Sequence, residues 1–214
     1  MRYLMPLALL LSMPVSADLL MNYNGFYDRM KKLQQPEYSD ITLAFALTGQ
    51  QTGQPCQFYS MKLVSDRHDM LLDMAGNGEI SLPYDEALKD SNAVLQVLQA
   101  DNVEACQVQF RLRSRMRLSG DLTLTQLQHY RSQFDVLLDD MAGLGKYWLP
   151  DVSGVIVEFM HQATLPQMNS ESSRVTNCRD NRCYIRLDTL LPADTSWLFS
   201  QRPANILPLI ERSD

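Results

Sequence analysis

Four arginines alternate with other residues in the stretch FRLRSRMRLSG, residues 110–120. In a β-strand, alternate side chains point to the same face, so the four guanidinium groups would form a row about 20 Å long. Guanidinium groups bind phosphate and carboxylate groups, which makes this row, the arginine stripe, a possible anion-binding surface. Its members are Arg111, Arg113, Arg115 and Arg117.

The arginine stripe also has a purely structural explanation. Arginines on the exposed face of an antiparallel strand form ion pairs with carboxylates on neighbouring strands. The chain offers many such partners, because its 25 acidic residues outnumber its 19 basic ones and give a formal net charge of −6. The structural explanation is therefore favoured, and anion binding is the alternative. General nucleic-acid binding needs clustered positive charge, so we predict no nucleic-acid partner for this acidic chain.

The residues that could perform catalysis are scattered along the chain. It contains no G-x-S-x-G, S-x-x-K, H-E-x-x-H or phosphate-loop pattern. We therefore predict no catalytic residue, no metal site and no cofactor, and structural roles for His68, His129 and His161. The alternative is a small hydrolase whose site is assembled from distant residues. It would need one of these histidines to meet a serine, aspartate or glutamate within about 3 Å in a concave pocket.

The chain begins with the pattern of a secretory signal peptide. Arg2 is followed by an apolar run at residues 4–13, and Val15 and Ala17 are the small residues that a signal peptidase reads. A membrane anchor is the alternative, but a spanning helix needs about 20 apolar residues. We predict cleavage after Ala17 and a periplasmic or secreted protein. No later run reaches that length, so the mature chain should be soluble, without a transmembrane segment.

Export would allow the four cysteines to form disulfide bonds. Four cysteines permit three pairings. In RVTNCRDNRCYIRL, the polar residues 179–182 favour a turn that would bring Cys178 and Cys183 together across a hairpin. This leaves Cys56 and Cys106 as the second pair. A redox pair is the alternative, but its usual C-x-x-C spacing is absent from this hairpin.

The apolar pattern predicts an α+β fold of mainly antiparallel strands, arranged as a sandwich or a strongly curved sheet. A short N-terminal helix precedes the strands, and a long amphipathic helix is predicted near 123–143, facing the core rather than a coiled-coil partner. Residues 93–100 could be strand or helix, with strand favoured. The prolines after residue 191 predict a mostly irregular tail.

Three segments follow from these patterns. Residues 1–17 form the signal peptide, 18–120 a β-rich part, and 121–214 a part with the long helix and the cysteine hairpin. The two mature parts could also form one domain over 18–214.

The signal peptide, the paired cysteines and the stretches YNGFYDRMKKL and GEISLPYDEALKDSNA carry a resemblance to a known family. The chain resembles uncharacterised exported gammaproteobacterial proteins built around a domain of unknown function. The resemblance implies an exported location and extends over nearly all of the mature chain. It implies no activity and no site residues.

Together these features favour a non-catalytic binding or envelope-assembly factor on a disulfide-bonded β scaffold. Its partner would be an envelope protein or an anionic envelope ligand. The exported hydrolase stays the alternative.

Overall fold

A computed structural model describes residues 18–100, 103–115, 118–143 and 150–210. It confirms the predicted α+β class with mostly antiparallel sheets. In chain order the elements are β1 (Leu19–Asn22), α1 (Tyr23–Lys32), a 3-10 helix (Pro36–Tyr38), β2 (Ile41–Gly49), β3 (Phe58–Ser65), β4 (His68–Leu71), β5 (Glu79–Ile80), α2 (Glu86–Asp90), β6 (Val94–Gln99), β7 (Cys106–Ser114), β8 (Asp121–Thr123), α3 (Leu124–Ala142), β9 (Val152–Glu158), α4 (Ser170–Arg174), β10 (Thr176–Arg179), β11 (Arg182–Arg186), β12 (Ser196–Leu198) and β13 (Asn205–Ile210).

The described residues fall into two compact units. Unit 1 contains residues 18–24 and 46–109, and unit 2 contains 25–45 and 110–210. The unit boundaries fall inside α1, β2 and β7. The predicted division into parts at residue 120 concerns folding domains and stays a prediction.

Unit 1 is built on a four-stranded sheet of order β1-β6-β3-β4, with antiparallel neighbours. Its alternating pattern buries one face, on which Met61 and Leu63 of β3 lie beside Leu95 and Val97 of β6. Residues 94–99 are therefore a strand, as favoured from the sequence. Cys56 and Cys106 are bonded within this unit.

Unit 2 contains an antiparallel sheet of order β10-β11-β9-β13. Its central strand β9 carries Val155 and Val157, which are fully buried because both neighbouring strands and the long helix cover them. At one edge, β10 and β11 form the predicted hairpin, in which Cys178 lies directly opposite Cys183 and is bonded to it. Disulfide bonds are thus confirmed.

The long helix α3 lies where the apolar spacing predicts it. Leu127, Phe134 and Leu137 are fully buried at intervals of three to seven residues, and the helix packs against β9 and β13. Its start is fixed by a capping box: the Thr123 hydroxyl accepts from the Gln126 amide, while the Gln126 side chain accepts from the Thr123 amide.

The tail after residue 191 is irregular only in part. Residues 205–210 form β13, which pairs with β9 and includes Pro208. Proline lacks the amide donor of a strand, but β13 is the last strand of its sheet, so the missing donor faces the open edge. A shorter helix, α4, begins after Asn169, because the Asn169 side chain caps it by accepting from the Ser172 amide at 2.8 Å.

Candidate functional site

The arginine stripe begins on β7 and ends just after it. Arg111 and Arg113 lie within the strand and Arg115 follows it, whereas Arg117 lies outside the described residues. All three described side chains are in unit 2. Their contacts differ from one arginine to the next.

Arg115 holds backbone segments of unit 2 together. Its Nη2 donates to the carbonyl oxygens of Leu33 and Ile41, at 3.2 Å each, and its amide donates to the Asp40 carbonyl at 2.7 Å. Arg113 donates from Nη1 to the Ser114 carbonyl at 3.2 Å. Both guanidinium groups therefore bond with the protein itself.

Arg111 approaches the buried carboxylate of Glu158, with 4.0 Å between Nη1 and Oε2. Glu158 also accepts two hydrogen bonds at Oε1 from Arg182, from Nη2 at 2.7 Å and from Nε at 3.1 Å. Asn205 donates to Oε2 at 3.1 Å. Because β9 pairs with both neighbours, Glu158 lies directly opposite Arg182 and Asn205. The hydrogen bond to Glu158 raises the pKa of Arg182.

Reversing two charges of the arginine stripe is expected to destabilise the protein. The Arg113→Glu, Arg115→Glu double variant loses the bonds to the backbone carbonyls, so the free energy of unfolding should fall by about 1–2 kcal/mol or more. Urea unfolding measures the change. If the stripe instead binds anions, the variant should be as stable as the wild type but should lose the binding of an anionic ligand, and that binding should weaken with added salt.

The three histidines have different surroundings. His161 is exposed, and the Nδ1 of His68 lies 3.0 Å from the Ser65 hydroxyl. His129, on α3, lies with its Nε2 at 2.8 Å from the Oδ2 of Asp40. Gln133, one turn further along the helix, also donates to that oxygen at 3.3 Å.

Asp40 and His129 form part of the wall of an open pocket of about 400 Å³ in unit 2. Leu118 and Leu122 supply apolar surface to the same pocket, and Tyr130 supplies a phenol. Burial, and next the negative charge of Asp40, raise the pKa of Tyr130, so its hydroxyl stays protonated at neutral pH and can donate a hydrogen bond.

This pocket is the candidate functional site. Its volume lies within the usual range of about 300–1,000 Å³ for small-molecule sites. Its wall combines apolar surface with a carboxylate, an imidazole and a phenol. Such a wall can hold a small molecule that has an apolar part and a hydrogen-bonding group.

The ion pair in the pocket predicts a contribution to stability that depends on pH. The hydrogen bond from His129 is the main cause that lowers the pKa of Asp40 below its ordinary value of 3.8. Because the folded pKa is the lower one, this contribution is present above about pH 4 and disappears as the pH falls through the folded pKa. The Asp40→Asn variant should be less stable than the wild type by up to about 1 kcal/mol at pH 6, since the pair is partly exposed.

Chemical unfolding between pH 2 and pH 6 measures this difference. It should begin to shrink below about pH 4 and disappear below the folded pKa of Asp40, where the wild-type carboxylate is protonated. A difference that stays constant down to pH 2 would contradict the role given to the Asp40 carboxylate.

The contact between Asp40 and His129 is not predictable from the sequence. The two residues are 89 positions apart, and no local pattern links them. The only signal is a titratable side chain on the polar face of α3. Glu158 gives no signal either, because its partners lie on three other strands.

Two further properties concern the described residues only. Nowhere in them do three or more His, Cys, Asp or Glu side chains gather as a possible metal site. None of their helices combines the length and the apolar character needed to span a lipid bilayer.

Comparisons with known proteins identify one family. Comparison with curated proteins and with solved structures gave no match. A family model described as "Protein of unknown function (DUF2987)" matches residues 15–159, which is more than half of the chain and includes Asp40 and His129. This confirms the predicted domain of unknown function. The chain therefore belongs to the family described as Protein of unknown function (DUF2987).

Proposed function

We propose that the protein is exported and acts as a non-catalytic binding or assembly factor of the cell envelope. The pairing of all four cysteines in two disulfide bonds supports the location, because such bonds persist in oxidising compartments. The signal-peptide pattern of residues 1–17 supports it independently.

The main support for the binding role is the pocket beside His129. Its wall combines Leu118 and Leu122 with polar groups that are already oriented by hydrogen bonds. Asp40 fixes the His129 ring, and Gln133 fixes the carboxylate. Such fixed groups reduce the ordering cost of binding a small ligand or a side chain of a partner protein.

The location can be tested by mass spectrometry of the protein recovered from the envelope fraction of expressing cells. Cleavage after Ala17 predicts a chain that starts at Asp18 and contains no free thiol. An intact Met1 on the folded protein, or four free thiols, would contradict export.

The binding role can be tested with the matched variants His129→Ala and His161→Ala. Both remove an exposed imidazole, but only His129 lies in the pocket. Ligands are captured from envelope extract by the wild type and identified by mass spectrometry. The His129 variant should lose them, whereas the His161 variant should keep them. Equal capture by all three proteins would contradict the pocket as the binding site.

The second candidate is the exported hydrolase, which the contact of 2.8 Å between His129 and Asp40 favours. In acid–base catalysis of this kind, one imidazole nitrogen contacts the carboxylate and the other takes a proton from a nucleophile. The His129 contacts to Asp40 and Gln133 both involve Nε2, so Nδ1 would be the nitrogen that takes the proton. The hydrolase predicts turnover of activated esters that disappears in both His129→Ala and Asp40→Asn, whereas the binding factor predicts no turnover.

A further inference from the structure

A second pocket, of about 270 Å³, lies beside the cysteine hairpin of unit 2. Three arginines line it together with an aromatic ring and two small polar side chains, and none of the described lining residues is acidic. It thus concentrates positive charge in a chain whose formal net charge is −6. The residues used below are Arg174, Arg179, Arg186, Tyr184, Asn177 and Thr176.

The strand register explains why the side chains of Asn177, Arg179 and Tyr184 share one face. Asn177 lies opposite Tyr184, and Arg179 lies opposite Arg182, so the alternation of β10 and β11 directs them to the side away from buried Cys183. Arg182 is bound to Glu158. Arg179 is held over the Tyr184 ring, with its guanidinium carbon 4.7 Å from the ring centroid, and this stacking leaves the edge of the guanidinium open to a ligand.

A chain of hydrogen bonds holds the end of α4 beside the hairpin. Trp197 donates from its indole nitrogen to the Thr176 hydroxyl at 2.8 Å, and that hydroxyl donates to the Ser172 carbonyl at 2.7 Å. Ser172 is fully buried in α4, which ends at Arg174. Arg174, the last residue of α4, therefore lies beside the hairpin. It forms an ion pair with Glu171 at 3.3 Å, and its side chain is 73% exposed.

We propose that this hairpin pocket binds a phosphate group. Phosphate carries about 1.5–2 negative charges at neutral pH and accepts hydrogen bonds on three oxygens, whereas a carboxylate carries one charge and is satisfied by one guanidinium fork. The three arginines of the pocket match the larger charge. The phosphate can be free or the terminal monoester of a lipid headgroup, as in phosphatidic acid. This site is separate from the pocket beside His129 and does not depend on the function proposed for it.

The test uses the full chain with both disulfide bonds intact and inorganic phosphate as the probe, measured by calorimetry at low ionic strength. The Arg179→Gln, Arg186→Gln double variant should bind at least about tenfold more weakly. The matched control is Arg67→Gln, Arg202→Gln, which removes the same charge from exposed positions outside the pocket. It should stay within about twofold of the wild type, because neither Arg67 nor Arg202 lines the pocket.

Vesicles distinguish the two sources of phosphate. Pocket-dependent binding to phosphatidic acid vesicles, whose headgroup is a phosphate monoester, but not to phosphatidylcholine vesicles would assign the site to a lipid headgroup. Binding of inorganic phosphate alone would assign it to a free phosphate ligand.

A variant that binds phosphate more tightly is also needed, because misfolding could explain a loss of binding but not a gain. The Glu171→Gln substitution releases Arg174 from its ion pair and should strengthen phosphate binding by about two- to fivefold. Wild-type protein that binds neither phosphate nor phosphatidic acid vesicles overturns the proposal. An equal loss in the control double variant also overturns it, because net charge and not the pocket would then explain binding.

Discussion

Replacing Glu158 with alanine is expected to lower the free energy of unfolding by about 2–4 kcal/mol. The carboxylate is only 8% exposed and accepts hydrogen bonds from Arg182 and Asn205, with Arg111 at 4.0 Å. Its removal leaves two guanidinium groups near each other without a counter-charge. Both arginine side chains keep an exposed fraction of 35%, so water compensates part of the loss and the effect stays below that of a fully buried pair.

Urea unfolding at pH 7 measures this loss, and Glu171→Ala is the matched control. Glu171 also pairs with an arginine, Arg174, but that side chain is 73% exposed. The control should therefore cost less than about 1 kcal/mol. If both variants lost the same stability, the burial of Glu158 would not be the cause.

Of the two disulfide bonds, the one between Cys56 and Cys106 should contribute more to the free energy of unfolding. It joins residues separated by 50 positions, so it restricts the unfolded chain far more than the Cys178–Cys183 bond, whose separation is 5. In the chain-entropy model, its loss costs about 4 kcal/mol and loss of the hairpin bond about 2 kcal/mol. Alanine is the better replacement, because Cys56 and Cys106 are buried and serine would add a polar group there.

The Cys56→Ala, Cys106→Ala variant and the Cys178→Ala, Cys183→Ala variant can be compared by urea unfolding at one temperature. The wild type should be the most stable, the hairpin variant less stable, and the Cys56→Ala, Cys106→Ala variant the least stable. The reverse order would show that strain or local packing, and not loop closure, determines the effect.

The elements with a regular local pattern could be predicted from the sequence. The helix α3 has apolar residues on one face and a capping pair, Thr123 and Gln126, at its start. The strand at residues 94–99 was ambiguous by itself and depended on the strands around it for its assignment. In these segments local preference and tertiary packing agree.

The parts that the sequence could not predict depend on contacts between distant residues. Pro208 argues against a strand unless it is known that β13 lies at an edge. The pairing of Asp40 with His129 joins a loop to a helix, and the carboxylate of Glu158 meets partners from β11, β13 and β7. Periodicity indicates which face a residue occupies, but not which residues face it across the fold.

The strand β13 also determines how the protein can meet other chains. The amide of Ile206 faces away from β9 and donates to the Ser114 hydroxyl at 3.0 Å. Pro208 lies two positions later, on the same side, and has no amide hydrogen. One outward donor is therefore occupied and the next is missing, so another extended chain would find little to pair with along this edge. The edge resists intermolecular sheet growth, which protects a β-rich protein from aggregation at high local concentration.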